Sequence, residues 1–129
     1  MEMAKRMMEK GVYMGKIIGI APASFIGDPT KNCNSDFYRL GNNYTKRVVE
    51  AGCTPIGLAP AENWLTEEAL EICDGFLIQG GAEFFPYHFQ IIHHAVTRGK
   101  RYLGVCLGAQ LIHAYFELKR RVEEQGYKN

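Results

Sequence analysis

The sequence has almost no excess of charge, no membrane-length apolar run and no paired-cysteine motif. Net charge is +1, and no basic block exceeds Lys119-Arg120-Arg121, so nothing suggests a nucleic-acid partner. That short run precedes Val122-Glu123-Glu124 and reads as a solvated helix end, where cations suit the helix dipole. No apolar stretch approaches the length that spans a bilayer. Residues 1–15 mix Met with Glu, Lys and Arg and lack an apolar signal core, so they are expected to be an N-terminal extension, and a cytoplasmic location follows. Cys33, Cys53, Cys73 and Cys106 show no Cys-x-x-Cys spacing, which argues against a zinc ribbon or a thioredoxin motif. In a reducing compartment they are expected as free thiols, with Cys53 and Cys73 in the core and Cys33 in an exposed loop. No internal repeat or low-complexity segment is visible. What remains is 129 residues with 47% hydrophobic and 22% charged side chains, enough for one globular domain with one core.

Short apolar blocks alternate with helix-compatible stretches. Residues 16–21 read as a first strand, near-continuously apolar as a parallel strand covered on both faces should be. A polar loop is expected over 23–35. A helix is expected over 36–51, because Phe37, Leu40, Tyr44, Val48 and Ala51 fall on one stripe. Residues 54–58 read as a second strand, with Pro55 pushing it towards a sheet edge or strand start. Thr66 suits the N-cap of a short helix carrying Glu67 and Glu68 in its first turn. A third strand over 74–78 is closed by Gly80-Gly81, a helix follows over 86–98, and Gly99 ends it. A fourth strand over 101–105 leads into a helix over 107–124. The β-α-β-α-β-α-β-α order predicts an α/β fold with a mainly parallel sheet.

In such sheets ligands bind beyond the C-terminal ends of the strands. Two glycine-bearing strand ends meet that edge. Gly104-Val105-Cys106-Leu107-Gly108 has the form of a nucleophile elbow with a thiol in place of a hydroxyl. Glycines flank such a nucleophile because a Cβ would clash in the tight turn, and the helix N-terminus complements a negative sulfur. On pattern alone, Cys106 reads equally as a small apolar residue at a strand end. Gly80-Gly81 alone reads as a tight turn. Taken together they suggest an oxyanion hole from the backbone N–H groups of Gly80, Gly81 and Leu107.

Four segments carry a family resemblance. They are Ile18-Gly19-Ile20; Tyr44 through Ala51-Gly52-Cys53-Thr54-Pro55-Ile56; Asp74-Gly75-Phe76-Leu77-Ile78-Gln79-Gly80-Gly81; and Gly99-Lys100-Arg101-Tyr102-Leu103-Gly104-Val105-Cys106-Leu107-Gly108-Ala109-Gln110. Over about residues 16–116, in order and spacing, they resemble the class I glutamine amidotransferase-like superfamily. Within it, the resemblance is to the γ-glutamyl-γ-aminobutyrate hydrolase-like (peptidase C26) family, N-terminal portion only. The resemblance implies a three-layer, flavodoxin-like sandwich truncated to about four strands, with residues 16–129 as a partial domain. It implies hydrolysis of a γ-glutamyl amide through a thioester at Cys106, with Gly80, Gly81, Leu107 and Gln110 as oxyanion or substrate-binding residues. It implies no metal or organic cofactor. After the third strand, relatives have Gly-Gly-Gly-Asp-Ile-Asp-Pro where this chain has Gly80-Gly81-Ala82-Glu83-Phe84-Phe85-Pro86, which bears on substrate identity.

A thiol nucleophile needs a base and a group to orient it. The family supplies both from a downstream His-x-Glu, and none follows Cys106 here. His113, about two turns beyond Cys106, and His88, His93 and His94 on the preceding helix are the remaining candidates. Each reads more readily as a helix-face residue, and no third ligand at matched spacing makes a metal site of them. Glu83 reads as a substrate contact or as a solvated loop carboxylate. The alternatives are therefore a hydrolase seen in part, a split enzyme whose second chain brings the base, and an inactive module that binds or builds. An uncovered sheet edge is expected, to be filled by a homo-oligomer or a second chain.

Overall fold

The computed structural model describes residues 2, 3, 5, 15–25, 30, 37–81 and 83–126. Most of the expected extension 1–15, most of the loop 23–35, and Cys33 lie outside them. Strand β1 (Ile17–Ala21) sits inside a parallel four-stranded sheet, between β4 (Thr54–Gly57) and β5 (Gly75–Ile78), and β6 (Arg101–Gly104) forms the far edge. The order β4-β1-β5-β6 makes Pro55 an edge residue, as its missing N–H requires. The fold class read from the sequence holds.

The register assigns the two faces. Phe76 and Ile78 point to one side of β5 and Leu77 to the other, the two-residue alternation of a strand. The first side is well filled: α2 (Glu67–Glu71), α3 (Pro86–Arg98) and α4 (Leu107–Glu124) supply Leu70, Ile91, Ile92 and Leu111 to one core. Helix α2 begins at Thr66, whose Oγ1 accepts from Ala69 N at 3.3 Å, the cap expected of it. The second side has only α1 (Asn42–Glu50), with Val48 packed on Ile20 and Leu77. Next to Leu77 in the register, on the same face, is Leu103 of β6, and it is 60% exposed. Helix α1 covers β1 but does not reach β6.

One expected helix begins late. Residues 36–51 were expected to be helical, whereas Phe37–Arg39 form a strand, β3, antiparallel to β2 (Ala23–Phe25). Phe37 stacks on Phe25 at 4.9 Å and Arg39 lies 4.5 Å above the same ring. Gln79 then holds the corner, donating to Arg39 O at 2.8 Å and accepting from Gly41 N at 3.0 Å. With Gly41 extended (φ −77°, ψ 122°), the helix starts one residue later. Tertiary pairing overrode a helical spacing whose first two members, Phe37 and Leu40, remain exposed.

Arg120 and Arg121 both pair with Glu117, as a solvated helix face should. Among the described residues no helix is long and apolar enough to cross a membrane. The core of the filled side should dominate stability. Ile91→Ala removes most of a fully buried side chain and is expected to cost ~2–5 kcal/mol, read as a lower urea midpoint with an unchanged slope.

Candidate active site

The site grows out of the β6–α4 junction. Val105 N donates to Ile78 O at 3.0 Å, the last bond of the sheet, and Cys106 follows at φ 55°, ψ −100°. That conformation lies outside the ordinary left-handed region and costs a non-glycine residue about 1–3 kcal/mol. Leu107 then opens α4, Gly108 N donates to Val105 O at 3.1 Å, and Gln110 N donates to Cys106 O at 3.1 Å. Tyr102 fixes the turn from below, its hydroxyl donating to Gly108 O at 2.6 Å, and burial pushes the phenol well above its ordinary pKa. Cys106 is exposed at the strand end.

Both flanking glycines are sterically required. A Cβ at Gly104 would lie 2.6 Å from Ala109 N and closer still to the Gly108 carbonyl. At Gly108 a Cβ would lie 2.7 Å from Ile78 O. The glycine at the neighbouring strand end is also near: a Cβ on Gly80 would lie 3.7 Å from the Cys106 Cβ, and one on Gly81 3.5 Å from Leu107 Cδ2. The structure thus brings Cys106, Gly80, Gly81 and Leu107 together. Gly80 N donates to the Tyr44 hydroxyl at 3.2 Å. The Gly81 and Leu107 N–H groups have no acceptor among the described residues. Gln110 stands exposed in the first turn of α4 and is not among the residues that line the cleft described next.

A cleft of about 480 Å³ abuts the elbow, lined by Gly80, Gly81 and Leu107 from the strand ends and by Ser24, Arg39 and His88 from surrounding elements. Glu83 lines it as well, two residues past Gly81. Sequence reasoning missed two of the residues that shape the site. Tyr44 was legible only as a member of an apolar stripe, and Gln79 only as the residue before Gly80-Gly81. Nothing local to Gln79 signals the clamp, since its partners lie 38 and 40 residues away.

The four histidines do not converge on Cys106 as a base would. The His88 ring is 3% exposed, and burial lowers its pKa to about 4. Its Nδ1 accepts from Phe85 N at 2.9 Å, so the neutral ring carries its hydrogen on Nε2 and has no free lone pair for a thiol proton. His93 Nδ1 is 2.8 Å from the Tyr115 hydroxyl. His94 is buried edge-on to Phe76, with burial and then Lys100 lowering its pKa. His113 is exposed on α4, seven residues past the thiol, which places it ~10 Å along the helix.

The described residues contain one group with metal-ligand chemistry: Glu67, Glu71 and His94, whose ligand atoms lie within 4.8 Å of one another. Arg98 already joins both carboxylates, at 2.9 Å from Glu71 and 3.5 Å from Glu67. A guanidinium therefore supplies the positive charge that a cation would bring, and the group reads as an ion-pair cluster.

Two outcomes follow. Gly104→Ala should push α4 off the strand end and lower the unfolding midpoint, while Ala109→Gly, which adds no atom there, should leave the thiol turn intact by near-ultraviolet dichroism. His88 gives a pH dependence whose sign is fixed. The unfolded chain takes up a proton near 6.5, whereas the folded chain resists until about 4. Stability is therefore full above about pH 6.5 and declines as pH falls towards 4, by up to ~3 kcal/mol. His88→Gln should flatten that slope in urea titrations at pH 4.5 and 7, and an unaltered slope would rule the assignment out.

A family model for glutamine amidotransferase class-I matches residues 35–128. No curated protein and no solved structure matches the chain.

Proposed function

The chain belongs to the class-I glutamine amidotransferase family, and from that premise we propose that it carries the acyl-transfer half of a γ-glutamyl amide hydrolase, with Cys106 as nucleophile. The observation that carries this reading is the Cys106 backbone, a strained non-glycine turn at φ 55° walled by two glycines that no other residue can replace. Such a conformation persists where the surroundings impose it and marks sites where chemistry uses it. The thiolate attacks the γ-carbonyl, the carbonyl oxygen takes the negative charge, and collapse expels the amine with a proton. Water then releases glutamate from the thioester. The N–H groups of Gly81 and Leu107 are the available donors to the oxyanion, and Gly80 joins them once a ligand displaces the Tyr44 hydroxyl. Among family members, the peptidase C26-like branch is favoured by the order of the four segments around Gly52-Cys53-Thr54-Pro55, Gln79-Gly80-Gly81 and Cys106.

A base must come from outside the described histidines. Because His88 is acceptor-saturated at Nδ1, His93 is paired and His94 is buried, the reading includes a proton acceptor brought from beyond residues 1–129, by a further segment of the protein or by a partner that docks on β6. Exposed Leu103 on the open face favours such a cover. The same observation favours a second reading, an inactive module that keeps the elbow and binds a partner.

Intact-mass analysis after incubation with L-glutamine and γ-glutamyl amides separates these. A γ-glutamyl adduct on the wild-type chain, absent from Cys106→Ala, with turnover that rises when imidazole is added, is the expected result. Adduct-free protein at all imidazole concentrations would leave the binding module standing. Leu103→Lys is expected to shift the assembly to monomer in size-exclusion chromatography, and a wild-type chain that is already monomeric would remove the docking face.

A further inference from the structure

The cleft beside the elbow holds more chemistry than an oxyanion hole uses. His88 lines it, although the residue is 97% buried by its 3% exposure. Its ring is fixed from three sides: the Phe85 amide on Nδ1, the Tyr87 ring at 4.3 Å, and the Phe85 ring at 6.3 Å. With Nδ1 taken by a donor, the hydrogen is on Nε2, and Nε2 has no acceptor among the described residues. His88 is one of the residues that line the cleft, so Nε2–H is the polar group it can offer there. A neutral, rigid N–H donor is thus presented to an open cleft.

Arg39 lines the same cleft. Its backbone carbonyl accepts from the buried Gln79 amide, which also holds Gly41 N, and its guanidinium rests on the Phe25 ring 4.5 Å below. It has no carboxylate partner among the described residues. The two remaining polar groups have the opposite character. The Tyr87 hydroxyl donates to Pro22 O at 2.8 Å, so at the 2.8 Å Ser24–Tyr87 contact the serine is the donor. Ser24 Oγ is left with acceptor lone pairs only. Glu83 is the anion of the cleft.

We propose that His88 and Arg39 determine specificity by binding a carboxylate of the substrate, His88 through its uncharged Nε2–H and Arg39 as the counter-charge. Ser24 and Glu83 face an ammonium or amide N–H of the same molecule. This deepens the hydrolase reading and rests on it for the identity of the site. It does not rest on it for the binding itself, because a carboxylate needs no scissile bond to be held. Arg offers two parallel N–H groups to a carboxylate, and a donor without charge adds selectivity with no ionised ring to desolvate. One γ-glutamyl amide offers two sources of that carboxylate, the glutamyl α-carboxylate and one on the amine portion.

Calorimetric titration of the full chain carrying Cys106→Ala, which leaves amides intact, tests this with three probes. γ-L-glutamylglycine has carboxylates at both ends, γ-L-glutamylethylamide only at the α-carbon, and glutarate has carboxylates without an amide bond. Arg39→Gln, and separately His88→Leu, should each weaken γ-L-glutamylglycine at least tenfold, while His88→Asn, which keeps an acceptor for Phe85 N and a donor for the cleft, should recover most of the loss. Equal weakening for the ethylamide assigns the α-carboxylate, and weakening confined to the glycine compound assigns the amine portion. Arg39-dependent binding of glutarate, together with no acyl-enzyme in the wild type, would keep the carboxylate site and remove the hydrolase reading. Binding of all three probes at parental affinity by Arg39→Gln, which is exposed and should fold, overturns the proposal. So does failure of the parent to bind any probe at millimolar concentration.

Discussion

The close approach of α4 to the ends of β5 and β6 is the constraint on which the rest of the site depends. Gly104 and Gly108 stand backbone to backbone, and Gly108 lies directly against the Ile78 carbonyl. Only with no side chain at either position can the helix begin within two residues of the strand. Cys106, the residue between, must then take up the reversal alone, which is why its φ is positive. The cost is met by bonds on both sides of it: Val105 N to Ile78 O before, Gln110 N to Cys106 O after, and Tyr102 from beneath. Sheet, turn and helix are in this sense one object. The thiol is exposed because everything around it is packed.

That packing is lopsided. One face of the sheet carries three helices and nearly all of the buried apolar side chains, while the other carries α1 and a cluster of three buried residues. Leu77 and Leu103 are register partners on the thin face, yet one is 7% and the other 60% exposed. Side-chain chemistry is identical in the two, so the difference measures cover alone. An edge strand with an apolar outward residue is a surface suited to burial. It lies on the strand that leads into Cys106.

Much of this was legible in the sequence because it is local. The strand blocks are contiguous, Thr66 caps within its own turn, and the elbow is five residues long. Its steric demand also is local, so Gly-x-Cys-x-Gly announced the strained cysteine correctly. What the sequence hid depends on partners far along the chain. Phe37 and Leu40 fit a helical stripe, and only pairing with residues 23–25 makes Phe37–Arg39 a strand. Tyr44 looked like core, and half of it is; the ring packs near Ile20 while the hydroxyl reaches Gly80, 36 residues away. A stripe assigns a face to a side chain but says nothing of what its polar tip will meet.

His88 shows the same limit on the chemical side. As a sequence position it is a candidate base, one of four. Burial and the Phe85 amide reverse that role, since a ring whose Nδ1 is occupied and whose charge is disfavoured donates through Nε2 and accepts nothing. The Phe85 N–H that selects the tautomer belongs to the residue just before Pro86, and its position is set by the turn after Gly80-Gly81. The loop Glu83-Phe84-Phe85 is therefore the one that determines what His88 can do. Change in that loop alters what holds the His88 ring without touching the Cys106 turn.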